Sequence, residues 1–183
     1  ENKLVDGIWS YELDEVWKGL QHCYRQICEK VKAEYDAEIT TIKAMGFSAM
    51  MHGYLAFDKE ENLLVPFRTW RNTITEKEAE ILSEEFKFNI PQRWTVAHLY
   101  QVLLNKEQHI PHIDFVTTLA GYVHWQLTGN RVVGIGEASG IFPIDENTLD
   151  YNSDMAAKFD VLTAREGFGK KLREVFPSVL TAG

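Results

Sequence analysis

The clearest pattern in the chain is a stripe of apolar residues that recur at steps of three and four near the N-terminus. This spacing places their side chains on one face of an α-helix, because the helix turns once in ~3.6 residues. Asp14 and Glu15 fall in its first turn, where the helix dipole favours negative charge. We predict a helix over about residues 11–36, capped by Ser10, with one buried face. The stripe consists of Trp9, Leu13, Val16, Trp17, Leu20, Tyr24, Ile27, Cys28 and Val31.

The pattern changes to short β-branched and apolar runs after this helix. Residues 39–48 are too few for a core helix and rich in Ile and Thr, which predicts a largely buried strand. Two further runs, 52–57 and 63–67, are separated by the polar segment 58–62, and this arrangement is typical of a β-hairpin. Pro66 cannot donate to a ladder, so the second strand should end at a sheet edge.

Helical spacing returns in the second half of the chain. Thr75 followed by Glu78 resembles a capping box, and it predicts a helix that buries Ala79, Leu82 and Phe86. Further helices are predicted over residues 96–104, 115–127 (closed by Gly129), 154–162 and 170–176, with the Gly-rich stretch 132–142 as loop and tight packing. Strands precede helices and no linker interrupts them, so we expect one mixed α and β domain over residues 1–183.

Composition narrows the classes of function. The chain has 183 residues, of which 45% are hydrophobic and 25% charged, as expected of a globular protein. Its formal charge of −8 argues against nonspecific binding to nucleic acid. It contains no apolar run long enough to span a membrane. Its 2 cysteines cannot build a disulfide framework, which favours a reducing compartment such as the cytoplasm.

Several short motifs suggest chemistry but have weak support. The glycines of 134–140 are misplaced by one residue for a dinucleotide-binding turn, and 167–171 lacks the hydroxyl residue of a phosphate loop. His109, His112 and Asp114 offer metal-ligand chemistry, but two histidines around a proline are more typical of a surface loop. We predict no metal site among these residues.

Two other segments favour a ligand. Met51 and His52 lie at the mouth of a predicted strand, where α/β folds place binding residues. Trp70, Arg71 and Asn72 come just after the hairpin, and an aromatic face beside amide and guanidinium donors suits a polyhydroxylated ligand. A structural histidine and a tryptophan that closes the core remain the alternatives.

Together these residues resemble motifs of the FGGY family of carbohydrate kinases, in the same order along the chain. Residues 8–17 resemble the acidic entry to the family's long helix, and 45–58 its Q-M-H-G strand and turn. Residues 65–73 resemble R-P-x-x-x-W-x-D, 121–129 resemble D-Y-x-x-x-x-L-T-G, and 137–145 resemble D-A-S-G with its following aspartate. The resemblance covers nearly the whole chain.

The chain departs from the family pattern in four places. The opening D-x-G-T-T phosphate loop is absent because the chain begins after it, and the C-terminal nucleotide domain with the catalytic Asp would lie beyond residue 183. Met50 stands in place of the Gln before Met-His, and Asn72 in place of the Asp of W-x-D. The last two replacements alter the hydrogen-bonding groups that would select the sugar.

The resemblance implies an α/β fold, namely the N-terminal half of an actin-like ATPase (ribonuclease-H-like) domain that lacks its first strands. Residues 1–183 would form most of the sugar-binding domain. The full-length enzyme would use ATP and Mg²⁺ to phosphorylate a hydroxyl of a ketose or of a related polyol or sugar acid. This fragment would be inactive alone and would bind neither cofactor.

The resemblance also implies the contacts and partners of the chain. The substrate-binding residues would be Met51, His52, Trp70, Arg71 and Asn72, with no catalytic residue in this chain. The partners would be a small-molecule sugar and the missing C-terminal domain, and a homodimer is compatible with the sequence. Two alternatives stay open: a non-catalytic sugar-binding or regulatory module of the same fold, and a helical interaction domain. The flanking sequence would separate the first alternative from a kinase, and sugar-dependent tryptophan fluorescence would test the second.

Overall fold

A computed structural model describes residues 3–181, and its longest element is the helix predicted near the N-terminus. A hairpin of β1 (Lys3–Val5) and β2 (Ile8–Ser10) precedes this helix, α1 (Leu13–Tyr35). Asp6 and Gly7, between the two strands, both have positive φ angles, as a tight hairpin turn requires. The predicted helix is therefore confirmed, and an unpredicted hairpin leads into it.

Short strands and helices follow one another through the rest of the chain. They are β3 (Leu55–Phe57), α2 (Glu76–Phe86), α3 (Thr95–Leu104), a 3₁₀ turn (Ile110–His112), β4 (Phe115–Thr117), α4 (Leu119–Thr128), β5 (Val132–Gly134), α5 (Ile135–Ala138), β6 (Ile144–Asp145), β7 (Asp150–Tyr151), α6 (Ser153–Arg165), α7 (Leu172–Val175) and β8 (Ser178–Leu180). Strands β3 and β4 pair antiparallel, as do β6 and β7, whereas β5 and β8 pair parallel.

Strand β3 lies between two hydrophobic cores. Its neighbour Tyr54 and its own Ala56 enter a larger core, which also contains the inner faces of α2, α3 and α6. Leu55 and Phe57 point the other way into a smaller, aromatic core with Phe115, Tyr122 and Trp125. The partly buried residues of α1 cover this smaller core. Because successive side chains of a strand alternate between its faces, one short strand serves both cores.

Several predicted elements are confirmed. Ala79, Leu82 and Phe86 form the buried face of α2. Gly129 ends α4 with a φ of 74°, the left-handed conformation expected at a helix C-terminus. The predicted hairpin is present as isolated pairs between Tyr54 and Arg68 and between Phe57 and Leu63, and Pro66 lies outside any strand, between Leu63 and Arg68.

The strand predicted over residues 39–48 is wrong. This segment has no regular structure, and within residues 3–181 no backbone hydrogen bond joins 37–49 to a neighbouring strand. A strand is stable only when its amide and carbonyl groups find a paired edge, which local composition cannot guarantee. Apolar Ile42 and Met45 accordingly stay 49% and 59% exposed.

The predicted caps and the depth of the first stripe also need correction. Glu12 rather than Ser10 occupies the N-cap position of α1, without a side-chain hydrogen bond, and every residue of this helix stays partly exposed. Thr75 makes no capping box either, because its hydroxyl donates to the Gln92 carbonyl at 2.5 Å. Leu20 is therefore half-buried, and the farther Ile27 is 54% exposed.

Two segments near the middle adopt strand where helix or loop was predicted. Phe115 lies in β4, so the helix expected from this residue begins only at Leu119. The Gly-rich stretch 132–142 contains β5 and α5 rather than loop. Both strands find partners distant in sequence, and helical spacing reveals nothing about such partners.

His98, in α3, is a fully buried histidine of the larger core. Neither of its ring nitrogens has a hydrogen-bond partner within residues 3–181. Burial, with a smaller contribution from the positive charge of Arg68, lowers the pKa of His98 to about 3. The ring therefore stays neutral in the folded chain well below neutral pH.

We expect acid to destabilise the fold through His98. Below its ordinary pKa of 6.5, the unfolded chain binds a proton at His98 that the folded chain does not bind until about pH 3. The free energy of unfolding should fall by about 1.4 kcal/mol for each pH unit between these limits. Urea unfolding of His98→Leu at about pH 7, 6 and 5 should show a shallower pH dependence than the wild type.

The matched control is His22→Leu, because His22 is exposed on α1. Its pH dependence should equal that of the wild type. Burial also lowers the pKa values of His52 and His109, so a reduced slope should remain in His98→Leu. A slope as steep as that of the wild type would contradict a buried, neutral His98.

Candidate functional site

The candidate site lies where two chain segments leave the same end of the β3 ladder. Tyr54 and Arg68 form an antiparallel pair, joined by Tyr54 N to Arg68 O at 2.9 Å and Arg68 N to Tyr54 O at 3.2 Å. In such a pair, residues before one partner lie opposite residues after the other. The segments that carry His52 and Trp70 therefore leave the same end of the strand.

Gly53 anchors the first of these segments. Its φ is +102°, and a Cβ here would lie 2.5 Å from the Arg68 carbonyl oxygen, so only glycine suits this position. The Gly53 amide donates to the Arg93 carbonyl at 3.0 Å, and its own carbonyl accepts from the Thr95 hydroxyl at 2.7 Å. The backbone next to His52 is thereby tied to both the hairpin and the start of α3.

His52 packs against a turn far away in the sequence. Its Nδ1 lies 3.4 Å from the carbonyl oxygen of Gly140. A Cβ at Gly140 would overlap the Met51 carbonyl oxygen and lie 2.7 Å from His52 Nδ1. The segment 51–53 thus meets the segment 137–140 backbone against backbone, and a glycine is needed at the contact.

The surroundings of His52 define its protonation. Burial lowers the pKa of His52, the positive charge of Arg93 lowers it further, and the contact with Gly140 opposes both. The ring is therefore neutral at pH 7. A carbonyl oxygen can only accept a hydrogen bond, so Nδ1 carries the ring proton and Nε2 keeps a free lone pair. His52 can accept a hydrogen bond from a ligand hydroxyl through Nε2.

The second segment combines an exposed aromatic ring with a stacked cation. The Trp70 side chain is 50% exposed. The Arg71 guanidinium lies 4.4 Å from the centre of the Trp9 ring, which stabilises both groups through a cation–π contact. Trp70 is thus available to pack on the carbon atoms of a ligand, and Arg71 is held beside β2.

Asn72 is buried and occupied by the fold. Its Oδ1 accepts from the Trp9 amide at 2.8 Å, and its Nδ2 donates to the carbonyls of Trp9 and Thr69, each at 2.9 Å. Both amide protons are therefore used within the chain. Asn72 fastens β2 to the segment that carries Trp70, and its role as a sugar contact stays a prediction.

The other candidate residues do not come together. His109 is buried, so a surface loop is wrong for it, and its Nε2 lies 3.0 Å from the Tyr54 hydroxyl. Asp114 instead pairs with Arg131 at 3.0 Å and with Lys170 at 3.5 Å. Within residues 3–181, no group of three or more His, Cys, Asp or Glu side chains could hold a metal ion.

Arg93 is a site residue that sequence reasoning missed. Its carbonyl accepts from Gly53, its side chain is exposed, and its charge acts on His52. It lies two residues after Pro91 and two before the start of α3, in an exposed turn. No spacing pattern relates this position to a histidine far earlier in the chain, so only the fold reveals the pair.

Glu137 links the distant turn to the helix α4. The hydroxyl of Thr118 donates to Glu137 Oε1, and the oxygen of the same hydroxyl accepts from the Gly121 amide at 3.2 Å as the N-cap of α4. Burial raises the pKa of Glu137, and hydrogen bonding around Thr118 and Gly121 opposes the rise. Glu137 thereby joins α5 to the N-terminus of α4.

Comparison with known proteins identifies the family and the fold. The family model described as the FGGY family of carbohydrate kinases, N-terminal domain, matches residues 5–182. A solved "xyloylose kinase" from Brucella ovis has 19% sequence identity and a TM-score of 0.75, over 98% of this chain and 36% of its own. A gluconate kinase from Lactobacillus acidophilus has 16% sequence identity and a TM-score of 0.74, over 97% of this chain and 35% of its own. A ligand-bound xylulose kinase from the same organism has 15% identity and a TM-score of 0.76, over 97% of this chain and 35% of its own.

These likenesses confirm the resemblance and the fold expected from the sequence. The mixed α and β architecture is that of the actin-like ATPase domains of FGGY kinases. The chain spans only 35–36% of the length of the three solved kinases. Among residues 3–181, no helix combines the length and apolar character needed to cross a membrane.

Gly140→Ala tests the contact between the two turns. The added methyl group would overlap the Met51 carbonyl, so we expect a loss of about 1–3 kcal/mol in the free energy of unfolding. Gly136→Ala is the matched control, since no described atom lies within 4 Å of a Cβ there and the residue is in the short helix α5. Urea unfolding should leave the control equal to or slightly more stable than the wild type. Equal stability of the two variants would contradict the contact.

Asn72→Ala tests the link between β2 and the second segment. It leaves the Trp9 amide and carbonyl without their partner, so stability should fall by about 1–3 kcal/mol in urea. Asn72→Asp should not restore it, because a carboxylate would face the carbonyls of Trp9 and Thr69. The exposed Asn89→Ala serves as control and should be neutral. A neutral Asn72→Ala would show that these bonds do not stabilise the fold.

Proposed function

The chain belongs to the FGGY family of carbohydrate kinases, and we propose that it is the sugar-side domain of an ATP-dependent kinase. The enzyme would phosphorylate a hydroxyl group of a ketose or of a related polyol or sugar acid. Residues 1–183 would make up most of the N-terminal, sugar-binding domain. The catalytic aspartate and the nucleotide domain would be supplied by further chain, and this fragment would be inactive alone.

The aligned share of each chain supports a sugar-binding domain here and a separate nucleotide domain. Nearly all of this chain matches the solved kinases, but it accounts for only about a third of their length, 35–36%. A kinase must bring a sugar and ATP together, and a second domain provides the surface for the nucleotide. The solved kinases are named for different substrates, a ketose in one case and gluconate in another, so fold likeness does not select the sugar.

The observation that supports the proposal is the antiparallel pair of Tyr54 and Arg68, which puts the segments that carry His52 and Trp70 at one end of β3. His52 presents the lone pair of a neutral Nε2, and Trp70 presents a half-exposed indole ring. Sugars offer hydroxyl groups that donate hydrogen bonds and C–H faces that pack on aromatic rings. Among the described residues, this pair supplies both kinds of contact on one backbone frame.

Residues 3–181 contain no group of three or more His, Cys, Asp or Glu side chains that could hold a metal ion by themselves. The net charge of −8 also opposes the binding of a tetra-anion such as ATP. We therefore assign ATP and Mg²⁺ to the full-length enzyme, which we place in the cytoplasm.

This domain would orient the sugar for phosphoryl transfer. His52 would accept a hydrogen bond from one sugar hydroxyl, and Trp70 would hold the carbon chain, so the hydroxyl to be phosphorylated points away from both. Met51, half-buried beside Gly140, would limit the space at the other side. Fixing a reactant in this way removes entropy before the reaction and lowers the barrier to transfer.

His52→Ala and Trp70→Ala should each lower kcat/KM for the sugar by about tenfold or more in the full-length enzyme, equivalent to about 1.4 kcal/mol. His52→Ala leaves a buried sugar hydroxyl without its acceptor, and Trp70→Ala removes the apolar surface on which the carbon chain packs. His52→Gln should retain part of the activity because its amide oxygen can still accept. Steady-state kinetics should show little change in the KM for ATP.

His22→Ala is the matched control, since this histidine lies on the exposed face of α1. Wild-type sugar kinetics in a normally folded His52→Ala or Trp70→Ala would return that residue to a purely structural role. A full-length wild type that binds sugar without transferring phosphate would instead identify the non-catalytic sugar-binding module.

A further inference from the structure

A positive charge stands beside the proposed sugar site. Arg93 is joined to the residue after His52, because the Gly53 amide donates to the Arg93 carbonyl at 3.0 Å. Its side chain is exposed, and its charge reaches the imidazole of His52. Since the backbone carbonyl makes the link to Gly53, the guanidinium group is not needed to hold the site together.

This charge is not neutralised by the described part of the chain. Within residues 3–181, Arg93 has no carboxylate at ion-pair distance, and no carboxylate affects the pKa of His52. Three other arginines are paired instead: Arg68 with Glu107 at 2.5 Å, Arg131 with Asp114 at 3.0 Å, and Arg173 with Asp150 at 2.8 Å. In a chain with 27 acidic and 19 basic residues, Arg93 thus leaves an exposed positive charge next to the residue that precedes Gly53.

The chemistry of guanidinium indicates which sugars suit this potential. A planar guanidinium binds a carboxylate through two parallel, charge-assisted hydrogen bonds, which are roughly twice as strong as neutral ones. A hydroxyl group gains much less from the same donor. Neutral His52 complements it, because a protonated imidazole beside Arg93 would meet like charge, whereas neutral Nε2 accepts from a hydroxyl.

We propose that the substrate is a sugar acid whose carboxylate pairs with Arg93. A hydroxyl of the same molecule donates to His52 Nε2, and its carbon chain packs on Trp70. This rests on the proposed function and narrows it from sugars in general to polyhydroxylated carboxylates. A phosphate group carries the same negative charge, so inorganic phosphate is included as a competing probe.

The test is equilibrium binding to the full-length protein by calorimetry, with matched pairs of ligands. Each five- or six-carbon aldonate is paired with the alditol of the same stereochemistry, which differs only at the terminal carboxylate. At least one aldonate should bind about tenfold or more tightly than its alditol. Arg93→Gln should lower the affinity for the aldonate about tenfold, so that acid and alditol bind alike, and Arg93→Lys should keep part of the preference.

Arg165→Gln is the control, because Arg165 is an exposed arginine in the last turn of α6. It should preserve the preference, which excludes a general effect of net charge. The proposal is overturned if no pair shows a preference for the acid, if Arg93→Gln retains the preference, or if Arg93 affects only the binding of inorganic phosphate.

The outcomes also separate this inference from the kinase proposal. Phosphorylation of a neutral ketose or alditol that depends on His52 but not on Arg93 leaves the kinase proposal intact and rejects the sugar acid. Failure of the full-length protein to bind or phosphorylate any aldonate, alditol or ketose rejects both.

Discussion

Burial of β3 on both faces is the constraint on which the rest of the molecule depends. Tyr54 and Ala56 pack into one core, and Leu55 and Phe57 into the other. A shift of one residue would exchange these two sets of side chains, so the register of the strand is fixed. Ligand residues are most precise when they adjoin such rigid elements. His52 and Trp70 gain their fixed positions because they adjoin an element that cannot slide.

Local patterns predicted most of the helices but not all of their starts. The spacing of Ala79, Leu82 and Phe86 and the position of Gly129 depend only on nearby residues, so the buried face of α2 and the end of α4 form as expected. Strands need distant partners, so the β-like composition of 39–48 was misleading and the pairing of Phe115 was not visible. A sequence shows how a segment would pair but not whether an edge is available to it.

The residues of the candidate site also differ in whether local sequence was enough to place them. The hairpin pattern was enough to place His52 and Trp70 at one end of a ladder, since both lie within a single local motif. The contact of His52 with Gly140 joins residues 88 positions apart, and the proximity of Arg93 depends on where α3 begins. Asn72 was selected from the sequence as a polar ligand contact. In the structure, both its Oδ1 and its Nδ2 are hydrogen-bonded to the backbone of Trp9.

The contact at Gly140 has a consequence for how such a domain can evolve. The Met51 carbonyl packs against the α-carbon of Gly140. This contact constrains the path of the backbone more than the identity of the neighbouring side chains. Arg93 similarly supports the frame through its carbonyl while its side chain is free to vary. Single codon changes at such positions can alter ligand preference without repacking either core. Selection can therefore diversify the substrates of this scaffold while its architecture is inherited unchanged.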